Sequence, residues 1–429
     1  MRLEVKYPDT NEICLIFHLE DDDIPKPSEK FSIGEKRTKI NVNFHNISEV
    51  HVDLITLSSI LICNPFVGKR LSLPFNPSQK FMEAANGTLS RYKLFAREDL
   101  PPSPPREVIR NGRPGLAFSG GVDSTAALSV MPGSTIPIFM DRPIRKGSLY
   151  NPEAAHQSCK LLTELGYDVH RVECDLEYVR DPVGFPTDVA NAVPAILLSD
   201  ELGLSSISFG TVLESAFGTG HEHYRNYTKG SHWNFFGTLF EAAGIQMSLP
   251  IAGVSEVGTS IIAHRSPVGM AAQSCIRGTW GSPCMSCWKC FRKGLLSLAL
   301  GQIKYEKKEF DKLLKSNEVR TKLSELPISH EDVIAYSIHR IDRSQRAEFE
   351  ILGDRVEDLG RLNLLSKWYS PSDELIPDNW RHSCREKILR YLRKMNFREE
   401  KIIEEWDMDE FLLSEKATKG QKNLISAWS

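Results

Sequence analysis

Residues Gly115–Met131 read GLAFSGGVDSTAALSVM. The apolar LAF has the character of a strand end, SGGV can only be a tight turn, and DSTAALSVM reads as a helix that Pro132 stops. A strand, a glycine turn and a helix N-terminus in succession make an anion site. Consecutive backbone N–H groups of the turn, with the free N–H groups of the first helical turn, form a concave donor surface of partial positive charge. Phosphate binds such a surface without any basic side chain. Ser119 and Ser124 add hydroxyls, and Gly120 and Gly121 let ligand oxygens approach the backbone closely. Asp123 suits the positive end of the helix and could hold Mg2+. The stretch lacks G-x-x-x-x-G-K-[ST] and the lysine that grips β- and γ-phosphates, so it is not a Walker A loop. A nest without that lysine suits gripping a pyrophosphate better than transferring a terminal phosphate. The plainer alternative is a turn with a Ser or Asp helix cap.

Outward from this stretch, strands and helices alternate. TIPIFMD (Thr135–Asp141) reads as a strand, and NPEAAHQSCKLLTELG (Asn151–Gly166) as a helix with Pro152 in its first turn. DVHRVECDL (Asp168–Leu176) reads as a strand, DVANAVPAILLSDELG (Asp188–Gly203) as a helix interrupted by Pro194, and SSISFGT (Ser205–Thr211) as a strand. Such alternation implies an α/β fold with a doubly wound parallel sheet whose ligands bind beyond the carboxyl ends of the strands. Upstream, LPPSPPREVIRNGRPG (Leu100–Gly115) carries five prolines and two glycines and reads as an extended linker. The expected organisation is an N-terminal α+β domain over residues 1–99, a linker over 100–114, the α/β domain over 115–299 and a helical region over 300–429.

In the first of these, EICLIFHL (Glu12–Leu19) and KINVNF (Lys39–Phe44) read as strands, and VDLITLSSILI (Val52–Ile62) as a helix or a buried strand. The acidic run Glu20–Asp23 reads as a solvated loop. The helical pattern begins near Tyr305. In CREKILRYLRKMNF the apolar Ile388, Leu389, Leu392 and Met395 share one face and basic residues fill the rest, but the acidic REEKIIEEWDMDE follows, so this too reads as a solvated face.

The totals set bounds. A chain of 429 residues with 41% hydrophobic and 25% charged residues and a formal net charge of -3 is ordinary for a globular protein of two or three domains. That charge gives no general reason to expect nucleic-acid binding, although a local patch leaves it open. No apolar run approaches the roughly 20 residues that span a bilayer. MRLEVKYPDT lacks the apolar core of a signal peptide, and the expected location is the cytoplasm.

Nine cysteines in such a chain argue against a disulfide framework. Four of them, in SCIRGTWGSPCMSCWKC, stand as C-x8-C-x2-C-x2-C: Cys275, Cys284, Cys287 and Cys290. Two-residue spacers aim successive thiolates at one ion, and Cys275 completes a tetrahedron. Four thiolates leave no open position, so a zinc ion here is structural; an iron–sulfur cluster is the chemical competitor. Cys14, Cys63, Cys159, Cys174 and Cys384 stand singly and read as small apolar core residues. In ESAFGTGHEHYRN, Glu214, His221, His223 and Arg225 fall near a strand end, where Glu214 could bind Mg2+ and the others could orient phosphate or substrate, with Lys229 beyond. A polar surface loop is the equal alternative.

SGGVDS matches the S-G-G-x-D-S signature, so Gly115–Met131 resembles the PP-loop ATP pyrophosphatases. Enzymes of that superfamily split ATP into AMP and pyrophosphate, adenylating a carbonyl or carboxylate oxygen so that a nitrogen or sulfur nucleophile displaces AMP. The resemblance implies an ATP site at Ser119, Gly120, Gly121, Val122, Asp123 and Ser124, with Asp141 where the superfamily contacts adenosine; Asp123 and Ser124 are the catalytic candidates there, and Glu214 of the loop is a third from its own position near the strand end. With the cysteine pattern added, residues Arg113 to Gly294 resemble the 7-cyano-7-deazaguanine synthase (QueC-like) family of queuosine biosynthesis. Members bind zinc through cysteines so spaced and use ATP to turn 7-carboxy-7-deazaguanine and ammonia into an amide and then a nitrile. The family's Ser-Gly-Tyr-Pro-Asp-Cys-Arg stretch is replaced here by TVLESAFGTGHEHYRNYTKG (Thr211–Gly230), and its Pro-Gly-Arg-Asn element is absent. Adenylation is therefore expected with a rebuilt acceptor pocket, the acid going to ammonia or to an amine of a partner protein, as in the QueC-like proteins of antiviral defence operons. A homo-oligomer is compatible with this. The competing expectations are a tRNA-modifying PP-loop enzyme and a nucleotide-binding adaptor without turnover.

Overall fold

The computed structural model describes residues 1–42, 46–302, 307–356 and 360–427. Asn43 and Phe44 of the expected second strand, and Tyr305 at the expected start of the helical region, lie outside the described residues. The chain is a mixed α/β protein with a large, mostly parallel ten-stranded sheet and a helix-rich C-terminal region.

The sheet strands are β1 (Arg2–Asp9), β2 (Glu12–His18), β3 (Arg37–Asn41), β4 (Arg70–Ser72), β5 (Lys93–Phe95), β6 (Arg113–Phe118), β7 (Ile136–Asp141), β8 (His170–Cys174), β9 (Leu204–Ser208) and β10 (Gln246–Ser248). Their order is β10-β9-β6-β7-β8-β3-β2-β1-β4-β5. From β10 to β8 every pairing is parallel, and these strands are mostly buried, as expected of a sheet with helices on its faces. The order reverses between β6 and β9, which leaves a crevice at their carboxyl ends.

One continuous sheet joins the N-terminal strands to the parallel ones. Strand β3 pairs antiparallel with β8, Ile40 opposite Cys174 and Asn41 opposite Glu173. Asp175 strengthens the seam by accepting from the Thr38 hydroxyl at 2.8 Å and the Lys39 N–H at 2.7 Å. Helix α1 (Val52–Cys63) settles the helix-or-strand ambiguity: nearly every residue in it is buried, which hides the periodicity that marks a surface helix.

The proline-rich linker is anchored. Arg106 is buried, donates to Asp200 at 2.8 Å and to the Gly244 carbonyl at 2.9 Å, and so fastens the segment against the β9–β10 side. The acidic run is also more than a solvated loop. Asp23 pairs with the Met1 ammonium at 3.1 Å and accepts the Gly68 N–H at 2.9 Å, because a buried chain terminus needs a counter-charge. Pro194 opens a short helix, Val193–Leu197, rather than interrupting a long one, since its missing N–H is harmless in the first turn.

The remaining helices used below are α2 (Val122–Val130), α3 (Glu153–Glu164), α4 (Glu256–Arg265), α5 (Trp288–Ala299), α6 (Glu331–Ile338) and α7 (Asp378–Tyr391). Helix α7 ends at Tyr391, so Ile388, Leu392 and Met395 are buried while Leu389 is exposed, and the expected four-residue apolar face is broken. The five lone cysteines are all buried. No described helix is long and apolar enough to cross a membrane.

Candidate functional site

The SGGVDS turn follows β6 and opens α2. Gly120 sits at φ +73°, a conformation that side chains resist, and Gly121 is the N-cap. Ser119 and Ser124 hold the turn from within: their hydroxyls lie 3.1 Å apart, Ser124 Oγ donates to the Gly121 carbonyl at 3.1 Å, and Ser119 Oγ lies 3.4 Å from the Gly121 N–H. Gly210, just past β9, lets the neighbouring strand end approach, for a Cβ there would fall 3.0 Å from the Ser124 nitrogen. These elements border a pocket of about 680 Å3 at the reversal of strand order.

The opposite wall is basic. Helix α5 places Lys289 and Arg292 on the pocket, and Lys293 beside them reaches Asp123 at 3.2 Å. Spacing of i, i+3, i+4 puts all three on one helical face. Asp123 also accepts the Thr259 hydroxyl of α4 at 2.7 Å. Glu256, buried at the start of α4, lies 2.7 Å from Arg292, 3.3 Å from Lys293 and 3.5 Å from His330. Burial opposes the charge on Glu256, but Lys293, Arg292 and His330 prevail and hold its carboxyl down to about 2. Burial likewise opposes the charge on Lys293, yet Asp123 and Glu256 raise its pKa above the ordinary lysine value. Lys289 reaches solvent through the pocket, while the protein crowded around it lowers its pKa. His330, in a left-handed conformation at φ 57°, is brought down to about 4, chiefly by burial and then by Arg292.

The cysteines fix this wall. The sulfurs of Cys275, Cys284, Cys287 and Cys290 all lie within 4.8 Å of one another, with Cys284 and Cys290 3.8 Å apart and Cys287 and Cys290 3.4 Å apart. Tetrahedral zinc with bonds of about 2.3 Å has sulfur–sulfur edges of about 3.8 Å, so the set could hold a structural metal such as zinc. Cys287 caps α5, accepting the Cys290 N–H at 3.4 Å, and Cys290 lies in the first turn. The helix that carries Lys289, Arg292 and Lys293 thus starts at the cysteine cluster.

Of the residues singled out from sequence, Ser119, Asp123, Ser124, His221 and Arg225 line the pocket. Gly120, Gly121 and Val122 complete the turn, the Val122 N–H lying 3.4 Å from Ser274 Oγ. Asp141 ends β7 but is engaged by His156 at 2.9 Å and Arg171 at 2.7 Å, away from the pocket lining. Glu214 is fully buried behind the wall, where both its oxygens face the Glu256 N–H at 2.9 and 3.1 Å. Burial, then the Asp332 and Glu256 carboxylates, push its pKa well above the ordinary range. His223 is exposed and lies 3.6 Å from Asp407, and Lys229 does not line the pocket. Sequence reasoning missed Glu256, Lys289, Arg292, Lys293 and His330. The basic trio was visible as spacing inside SCWKCFRKG; Glu256 and His330 carried no local signal.

Residues 235–407 match a family described as a family of unknown function (DUF6395). The match takes in the cysteine cluster, α5 and His330 but begins after the glycine turn. No curated protein and no solved structure matches the chain.

Proposed function

We propose that this chain is an AMP-forming, ATP-dependent enzyme of the PP-loop pyrophosphatase type, with a doubly wound core and a structural zinc at the four cysteines. The observation that carries this reading is the SGGVDS turn facing Lys289, Arg292 and Lys293 across one pocket at the reversal of strand order. A donor nest on one side and three cations on the other suit a triphosphate. The turn grips the phosphates. A carboxylate oxygen of the acid substrate attacks the α-phosphorus, and pyrophosphate departs toward the basic face of α5. Alignment and charge stabilisation supply most of the rate. Asp123 would hold the Mg2+ that accompanies ATP, which supplies further neutralisation of the departing charge. A nitrogen nucleophile, ammonia or an amine, then attacks the acyl carbon and releases AMP. The acid we favour is 7-carboxy-7-deazaguanine or a close analogue.

Incubation with ATP, Mg2+, 7-carboxy-7-deazaguanine and ammonia, followed by mass spectrometry, tests the reading. Amide or nitrile in step with AMP supports it in full. AMP without nitrogen incorporation supports activation of the acid for another amine. No AMP with this acid or its analogues overturns it.

A further inference from the structure

A second chamber of about 470 Å3 backs onto the candidate ATP pocket, and the two share Ser231 and His232 as a common wall. Its far side comes from the N-terminal part of the chain, with Asn64, Leu89, Arg91 and Tyr92, and its near side from Phe235 and Phe236. The wall continues into an unusual piece of backbone: Trp233–Gly237 forms a π-helical turn, a geometry that concentrates at functional sites. His232 is fixed there by Tyr227, whose hydroxyl lies 2.5 Å from Nδ1, and by the Phe236 ring at 4.8 Å. Its other nitrogen, Nε2, is buried with no hydrogen-bond partner. When Nδ1 carries the ring proton and donates to the Tyr227 oxygen, Nε2 presents a bare lone pair.

Resting on the adenylation reading, we infer that this chamber admits the nitrogen nucleophile as a primary amine borne on an apolar or aromatic body, and that His232 Nε2 takes its proton. Ammonia alone requires no aromatic chamber of this size. The amine nitrogen attacks the acyl carbon of the acyl-adenylate, the bond from that carbon to the AMP oxygen breaks, an N–H proton passes to Nε2, and amide and AMP remain. Asp188, on the ATP-pocket lining, is the carboxylate acting on His232 and favours the imidazolium that forms when the neutral amine gives up its proton; Arg225 acts in the opposite sense, and Tyr227 stays neutral. Burial, the strongest of these influences, lowers the His232 pKa, so the ring is an uncharged base at neutral pH.

Two half-reactions separate this inference from the one it rests on. With 7-carboxy-7-deazaguanine as acid, exchange of labelled pyrophosphate into ATP reports adenylation, and AMP release on adding 2-phenylethylamine or hydroxylamine reports aminolysis. Ser90→Trp, on the exposed rim of the chamber, should raise the KM for 2-phenylethylamine about tenfold or more and leave hydroxylamine and exchange unchanged. His232→Gln should cut kcat with both amines about 100-fold, at least tenfold more than it lowers exchange, and remove the acid-side inflection from the aminolysis pH profile. Exchange that survives while neither variant discriminates between the half-reactions, or that falls in parallel with aminolysis, overturns the role of the chamber. Absence of exchange in the unsubstituted protein overturns the adenylation reading and this inference with it.

Discussion

Asp123 stands where the glycine turn, α4 and α5 meet, accepting from Thr259 and Lys293. Asp123→Ala removes the carboxylate proposed to hold Mg2+ and leaves Lys293 with only Glu256. Pyrophosphate formation should fall by about 1000-fold or more, with the circular dichroism spectrum unchanged. Unaltered turnover would refute the site. Asp332, in α6 behind the pocket, permits a test by pH. Burial, with the Glu256 carboxylate adding to it, pushes its carboxyl up to about 8, while the Val333 N–H at 2.8 Å works the other way. The folded chain therefore keeps a proton that the unfolded chain loses from about pH 4 upward. That contribution to stability is complete below about pH 4 and declines as pH rises to about 8, by up to about 1.4 kcal/mol per pH unit. Asp332→Asn has no such proton, and its urea midpoint should fall less between about pH 5 and pH 8. Parallel behaviour of the two proteins would mean that Asp332 is ionised in the fold.

Helix α5 links the four clustered cysteines, which could hold a metal, to the cations proposed to face phosphate. Cys290 and Lys289 are neighbours in its first turn, so losing the metal should loosen the turn and blur the placement of the basic face. Cys290→Ser, or prolonged chelation, should remove metal by elemental analysis, lower the melting temperature and weaken ATP binding about tenfold. ATP affinity unchanged in metal-free protein would separate the two sites. A colourless preparation with one zinc per chain is the expected state; a brown one would mean iron and sulfide. How much of the site could be read in advance follows from the same geometry. The turn was legible because strand, glycines and helix cap are contiguous, and the cysteines because close spacing in sequence brings their sulfurs together in space. Lys289, Arg292 and Lys293 sat in plain view, but nothing local says that their helix faces a turn so distant in sequence. Glu256 and His330 are isolated letters that acquire meaning only through packing, and Glu214 misled because a buried cap and an exposed ligand use the same carboxylate.

Four of the five parallel strands, β6 to β9, were readable from the alternation of strands and helices, and even the short β9 fell where Ser205–Thr211 pointed, whereas the three-residue β10 was too short to leave a pattern. The seam was not. Nothing in KINVNF says that its strand will pair with β8, because the alternation of exposed and buried residues in both strands marks which face is covered and not which edge is paired. Likewise the prolines of the linker predicted extension and concealed the anchoring of Arg106. A chain of residues 100–429 would expose the edge of β8 and lose the covering N-terminal core. It should elute as aggregate on size exclusion, whereas a monodisperse, folded fragment would show that the seam is dispensable. The seam also sets an order of events in time. On the ribosome β3 is finished long before β8 exists, so the first strands present an open edge to the solvent while the middle of the chain is still being made. When Cys174 at last reaches Ile40, it closes a loop that already contains the glycine turn. Pairings so remote in sequence form slowly. Nascent chains should therefore spend an appreciable interval with a finished glycine turn and an unfinished sheet, the state in which a chaperone has most to offer.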